Sequence, residues 1–383
     1  MKRPVLIGVA AAAMLLTWQF LTVRYNYGGN WSALFCTGAL MTAPPAGEFS
    51  GTYAFAGSNG YDGQFYRYIA HDPFFERGFS NWVDAPRLRY RRALVPLLAY
   101  AGALGSPGLI DAAYIAIVAV FVFLGAWWAS SYAAACGRHP AWGFGFLLVP
   151  SALVSADRLT VDVSLAALAC AWALHAGGRT IPRKAGWAVL AAIPLARETG
   201  LLLNAATGIR LAWVRKFREL AMTALALTPC ALWYLFVAIH TRSEAETWVS
   251  YAPLSGWAGR VLHPAAYGPQ VPFRSLVVAL DYVALAGIAL AVALGMWLWF
   301  RRRDGAVEIA IALFCVLVVQ TGRPDVWADA FSFGRVFSPL LLLLGLKGLE
   351  TGSPLLGVPM ALVALRVGAQ LAPQVLGIAR GLL

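Results

Sequence analysis

One stretch, Gly60-Tyr61-Asp62-Gly63-Gln64-Phe65-Tyr66-Arg67-Tyr68-Ile69-Ala70, sets a carboxylate among aromatic rings in a polar segment. A carboxylate beside apolar rings is partly desolvated, which raises its basicity and suits it to take a proton from a hydroxyl. Asp62 also occupies the N-cap position of a helix whose buried face would be Phe65, Tyr66 and Ile69. Capping is therefore the competing explanation, and the two roles are compatible. Tyr61, Gln64 and Tyr66 flank the carboxylate as candidate substrate contacts, since aromatic rings offer apolar walls to the C–H faces of a sugar. Further along, Asp84-Ala85-Pro86-Arg87-Leu88-Arg89-Tyr90-Arg91-Arg92 supplies four arginines. A guanidinium presents a fixed fork to phosphate and keeps its proton, so Arg87, Arg89, Arg91 and Arg92 form a candidate phosphate clamp. Contact with anionic lipid headgroups explains them equally well. Arg335, in Phe331-Ser332-Phe333-Gly334-Arg335-Val336-Phe337, is a second candidate for the clamp.

Other ionisable residues interrupt apolar surroundings. Arg158 and Asp162 are spaced i, i+4, which predicts an ion pair on one helix and leaves Asp157 free to serve a site. Arg197 and Glu198 either pair locally or reach a ligand. Asp281 and Arg366 fall inside apolar stretches, where charges usually pair in the interior, and each is a candidate partner of the other. The chain has no P-loop, GxSxG or HExxH. Its histidines lack paired spacing, and Cys36, Cys136, Cys170, Cys230 and Cys315 lack zinc-ligand spacing. Neither a metal nor a cofactor is required by these residues.

The elements that must position these groups are apolar. Of 383 residues, 60% are hydrophobic and 13% charged, with mean hydropathy +0.66, whereas soluble domains carry about a quarter charged residues. The pattern predicts an all-α, polytopic membrane protein forming a single domain, 1–383. A β-barrel would show alternation instead. The net charge of +12 fits basic cytoplasmic loops rather than nucleic acid, so the expected partner surface is the bilayer. Lys2 and Arg3 precede an apolar run to Phe20, read as a retained first helix rather than a cleaved leader.

Apolar stretches fall near 4–22, 109–131, 141–156, 160–177, 185–197, 199–214, 219–240, 275–300, 305–320, 332–349 and 355–373. A further run, 93–104, would reach only about 18 Å as a helix against a hydrocarbon core of about 30 Å. If it does not span, then Arg138, the group Arg179, Arg183 and Lys184, the group Arg215, Lys216 and Arg218, the triple Arg301, Arg302 and Arg303, and Lys347 all share the side of Lys2 and Arg3. This parity predicts ten or eleven spans with the N-terminus inside. It makes 23–108 an outer loop with juxtamembrane helices. Pro194 and the break Arg197-Glu198-Thr199-Gly200 predict a short helical hairpin with a shallow outer tip, a hint of an outward-facing cavity.

A first helix, a long outer loop with an early aspartate before an aromatic helix, a short non-spanning segment and an outward cavity together resemble the GT-C superfamily of membrane glycosyltransferases. Asp62-Gly63-Gln64-Phe65-Tyr66-Arg67-Tyr68-Ile69-Ala70 is similar to the Trp-Asp-x-x-Phe/Tyr-x-x-Ile-Ala pattern of the second GPI mannosyltransferase and its bacterial relatives, with Tyr61 in place of the tryptophan. Arg91-Arg92-Ala93-Leu94-Val95-Pro96-Leu97-Leu98, Arg197-Glu198-Thr199-Gly200-Leu201-Leu202 and Gly334-Arg335-Val336-Phe337-Ser338-Pro339-Leu340 look like further segments of that group. The resemblance implies a polyprenyl-phosphate-linked sugar donor, mannose being one candidate sugar. It implies a glycolipid, polysaccharide or protein acceptor, and a site on the periplasmic side of a bacterial inner membrane. By it, Asp62 maps to the catalytic base and Arg335 to a carrier-phosphate contact. The chain lacks the large soluble C-terminal domain of oligosaccharyltransferases and a clear Asp-x-Asp. A flippase or transporter of a lipid-linked sugar, needing the arginines but no base, is the alternative.

Overall fold

The computed structural model describes residues 2–42, 44, 47, 49–178, 183–242, 250, 252–268, 271, 273–303 and 305–383. Arg179 and residues 243–249 lie outside them. The described residues are all-α apart from a two-residue parallel pairing of Thr37–Gly38 with Ala54–Phe55. Every apolar stretch read from the sequence becomes helix. Among the described residues, four helices are long and apolar enough to cross a membrane: Lys2–Asn26, Pro107–Ala135, Phe217–His240 and Arg274–Arg301. The number is up to six if two bent pairs, Ala330–Val336 with Ser338–Thr351 and Pro354–Ala369 with Ala372–Leu382, each count as one span. Of the remaining apolar stretches, Asp162–Ala176, Lys184–Ala196 and Ala306–Gln320 form shorter apolar helices. Leu6, Met14, Phe20, Leu232, Leu235 and Ile239 are exposed on the long helices. A soluble monomer rarely leaves such continuous apolar faces uncovered.

The run 93–104 folds as the nine-residue helix Leu94–Gly102, about 14 Å long, and turns directly into Pro107–Ala135. The centre of the bundle is Asp162–Ala176, in which every residue from Asp162 to Leu174 is buried. An apolar helix with no polar face must be packed on all sides. That burial carries Asp162, at its first turn, into the interior.

Helix ends sort into two groups. At one end, Arg67 binds Asp111 at the start of Pro107–Ala135 through bonds of 2.9, 3.0 and 2.6 Å. Asp162, Arg197 and Arg335 also stand at helix ends, and Asp281 lies within the first half of Arg274–Arg301. At the other end, Lys347 binds Glu308 at 2.6 Å, Tyr132 donates to Glu350 at 2.7 Å, and Arg138 donates to the Leu349 carbonyl at 3.1 Å. Two outcomes of the sequence reading are decided by this packing. Asp281 and Arg366 do pair, at 2.7 Å, with Tyr267 bonded to both. The hairpin also forms, as Arg183–Ala196 and Leu201–Trp213 joined by the tight turn Glu198–Gly200.

Candidate functional site: a carboxylate held between arginines

Three short helices bring the site together. Asp62–His71 starts from Tyr61, whose extended backbone occupies the N-cap without a side-chain cap bond; Asp62 is the first helical residue. The capping expectation is corrected accordingly, although an acidic first turn still favours the helix dipole. Gly63 is needed here because a Cβ would lie 2.2 Å from the Arg158 carbonyl oxygen. Pro86–Arg91 begins with proline, whose missing N–H costs nothing at a first turn. Ala330–Val336 begins at Asp329, whose carboxylate accepts the Ser332 N–H at 2.7 Å. It ends against Ser338–Thr351 at a 58° bend, which delivers Arg335 to the cluster.

Asp62 lies between Arg89 and Arg335. Arg89 approaches its two carboxylate oxygens at 3.0 and 2.9 Å, and Arg335 forms a direct ion pair on the other side. Arg89 also grips Asp84 at 2.6 and 2.8 Å and lies over the Phe65 ring at 4.7 Å. Arg335 reaches Asp162 at 3.4 Å, and Arg197 forms a close ion pair with Asp162. Arg92 donates to both oxygens of Glu198, at 2.8 and 2.6 Å, and to the Tyr66 hydroxyl at 3.1 Å. The side chains of Asp62 and Arg335 are only 13% and 11% exposed, so the cluster is occluded rather than a wide basin. Its open edge is at Glu198 and Asp84, which are 21% and 39% exposed.

Tyr61 is held between two cations, with the Arg158 and Arg335 guanidinium carbons each 5.0 Å from its ring centroid. Such contacts are worth about 0.5–2 kcal/mol each and orient the ring without consuming hydrogen bonds. Burial pushes the Tyr61 hydroxyl well above its ordinary value. It therefore stays protonated and does not compete with Asp62 for a proton.

Several expected roles change. Burial alone would raise the Asp62 carboxyl, but Arg335 and then Arg89 outweigh it and hold the group well below the usual carboxylate range. The expected gain in basicity is overturned because the attraction of two cations in contact exceeds the cost of taking the carboxylate out of water. Burial likewise works against the charged form of Glu198, and Arg92 overcomes it to bring that carboxyl down to about 2. Arg158 and Asp162 do not pair. The helix Pro150–Arg158 ends at Leu159 with φ 43°, and a new helix starts at Asp162, so the i, i+4 geometry is lost. Arg158 turns instead to Asp157, at 3.3 Å, and Gln374 donates to Asp157 at 3.1 Å; Asp157 is not free.

Gln64 is buried and uses its amide to fasten the loop, donating to the Asn59 carbonyl at 2.9 Å and accepting from Gly38 N–H at 3.1 Å. It faces backbone rather than a ligand. Tyr66 is fully buried behind Arg92. Arg87 is half-buried on the same short helix as Arg89. Arg91 stands apart: its guanidinium lies 5.3 Å from the Tyr234 ring centroid, its Nε is buried without a hydrogen-bond partner, and no carboxylate pairs with it among the described residues. Asp162, expected as the partner of Arg158, and Asp84, to which the sequence assigns no role, both belong to the site. Only an acidic residue at a helix start in each segment hinted at them.

No family model matches the chain, and no curated protein or solved structure matches it significantly.

Proposed function

We propose that this chain is a GT-C-type membrane glycosyltransferase that moves a sugar from a polyprenyl-phosphate carrier to an acceptor hydroxyl. The observation that carries the proposal is the Asp62 carboxylate held between Arg89 and Arg335 at the helix ends opposite the lysines. On this reading the apolar segments cross the inner membrane of a bacterium ten or eleven times, and the Asp62 end faces the periplasm. The alternation of helix ends and the gathering of Arg138, Lys184, Lys216, Arg301 and Lys347 at the opposite end support it.

The ion pairs supply a mechanism. The carrier phosphate is a bidentate anion of the kind guanidinium groups bind, and it competes with Asp62 for Arg335 and Arg89. When it takes them, Asp62 loses the charges that depress its basicity. The acceptor oxygen then attacks the anomeric carbon, its proton passes to Asp62, and the sugar–phosphate C–O bond breaks with its electron pair staying on the phosphate. The arginines stabilise the leaving phosphate as its charge grows. In-line attack inverts the anomeric carbon. Asp62 is thus an available base only when the donor is bound.

The test is the purified chain in liposomes with polyprenyl-phosphate sugars, mannose first. Wild type should form a glycoside, and Asp62→Asn should bind carrier without forming one. Carrier movement across the bilayer with no new glycosidic bond would favour the flippase alternative. Full transfer by Asp62→Asn would remove Asp62 from the chemistry.

A further inference from the structure

A cavity of about 470 Å³ lies at the helix ends opposite Asp62, between the short Pro140–Leu148 helix and the pair Ser338–Thr351 and Val358–Ala369. We infer that it holds one anionic membrane lipid, with an acyl chain in the groove and the headgroup phosphate on Arg138. Its walls are apolar, among them Phe146, Leu342, Leu346 and Met360, and glycines at 145, 345 and 357 open the space where side chains would otherwise pack. Trp142 and Leu148 are exposed along one rim and Val358 along the other. A tryptophan at such a rim suits the level of lipid headgroups.

Charge selects the occupant. Arg138 is the cation of the lining. It is exposed, and its Nε donates to the Leu349 carbonyl at 3.1 Å, which anchors the guanidinium near the C-terminal end of Ser338–Thr351. No carboxylate pairs with it among the described residues. The neighbouring acid, Glu350, is already engaged by Lys347 at 2.8 Å and by Tyr132 at 2.7 Å. An anchored guanidinium at the mouth of an apolar groove fits a phosphate diester carrying hydrocarbon, and a zwitterionic headgroup would bring an unmatched cation. The site is remote from Asp62 and does not rest on the glycosyltransferase reading.

The glycines make the test clean. An added Cβ at Gly145 meets no atom within 4 Å, and at Gly345 it meets only the Met360 methyl at 3.9 Å. Leucine at either position would therefore fill the groove without moving backbone. The full chain, purified in detergent and stripped of lipid, is given phosphatidylglycerol or phosphatidylcholine with identical acyl chains, and bound lipid is counted by native mass spectrometry. Wild type should hold phosphatidylglycerol about fivefold more tightly, the effect of one basic residue on an anionic lipid surface. Arg138→Ala should reduce this to the phosphatidylcholine level. Gly145→Leu should release both lipids with the melting temperature unchanged, and Gly345→Leu serves if that variant does not fold. Equal retention of both lipids by wild type, or undiminished phosphatidylglycerol on Arg138→Ala, would overturn the inference. So would glycerol phosphate alone binding as tightly as the lipid, because the groove would then contribute nothing.

Discussion

The Asp62 carboxylate rests on the Arg335 guanidinium, joining the first long loop to the helix bend near the other end of the chain. Arg89 closes the opposite side of the same carboxylate at 2.9 Å. Each guanidinium also holds a second carboxylate, Asp84 for Arg89 and Asp162 for Arg335, and on the proposed reading a ligand phosphate would exchange with Asp62 alone. Asp162 provides the holding contact for Arg335 during such an exchange, at 3.4 Å.

Replacing Asp62 by Asn should affect stability as well as activity. Removing one partner of a buried pair strands the others, and such losses run to about 3–5 kcal/mol. The exposed edge of this cluster puts the expectation at about 3 kcal/mol, read as a lowered thermal midpoint. Glycosyl transfer should be lost while carrier phosphate binds at least as tightly, since Asn no longer competes for Arg89 and Arg335. Weaker carrier binding by this variant would contradict the exchange.

Apolar runs were legible from the sequence because each is long relative to its polar breaks, and all of them became helices. The Arg197 hairpin and the Asp281–Arg366 pair were legible for a similar reason: charges or breaks in apolar surroundings have few ways to be satisfied. Partners across the site were not. Pairing Arg158 with Asp162 assumed one helix where Leu159 breaks it. The partners of Asp62 come from residues 89 and 335, a contact that only tertiary packing creates. For the same reason the sequence alone predicts the wrong direction for the basicity of Asp62.

Arg91 and Arg92 are adjacent yet should separate cleanly. Arg92 is buried on Glu198 and Tyr66, so Arg92→Ala should cost about 3 kcal/mol of stability. Arg91 only overlies Tyr234, and Arg91→Ala should cost about 0.5–1 kcal/mol. Its guanidinium, whose Nε is buried without a hydrogen-bond partner, should matter more for ligand: loss of a charge-assisted contact predicts about tenfold weaker binding of a phosphate carrier and unchanged binding of free sugar. Equal losses for carrier and sugar in a titration would count against a phosphate contact at Arg91.

Acidification should expose the Glu198 linkage. Its carboxyl sits at about 2 in the fold against an ordinary 4.5. A depressed folded value contributes stability that is complete above the unfolded value and disappears as pH falls toward the folded one. The wild-type thermal midpoint should therefore fall between about pH 5 and pH 2, with Asp62 losing its contribution in the same direction. Glu198→Gln should start lower at neutral pH and follow a shallower curve. Parallel curves for the two proteins would rule out Glu198 as a source of the acid sensitivity.

Asp281 offers the control that keeps stability and chemistry apart. It is buried with Arg366, bonded at 2.7 Å, and Tyr267 donates to it at 2.6 Å. The pair ties Arg274–Arg301 to Val358–Ala369, two helices with extensive mutual packing. Asp281→Asn would leave the Arg366 charge uncompensated, with only Gln370 and Tyr267 as neutral partners at 2.9 and 3.0 Å. The expected cost is about 3–5 kcal/mol, comparable to that of Asp62→Asn. Transfer per folded molecule, measured below the midpoint of the variant, should nevertheless remain near wild type, because neither residue touches the Asp62 cluster. If Asp281→Asn abolished transfer while the protein stayed folded, the chemistry could no longer be confined to the arginine-bound carboxylate, and the Asp281–Arg366 pair would have to be counted as part of the site.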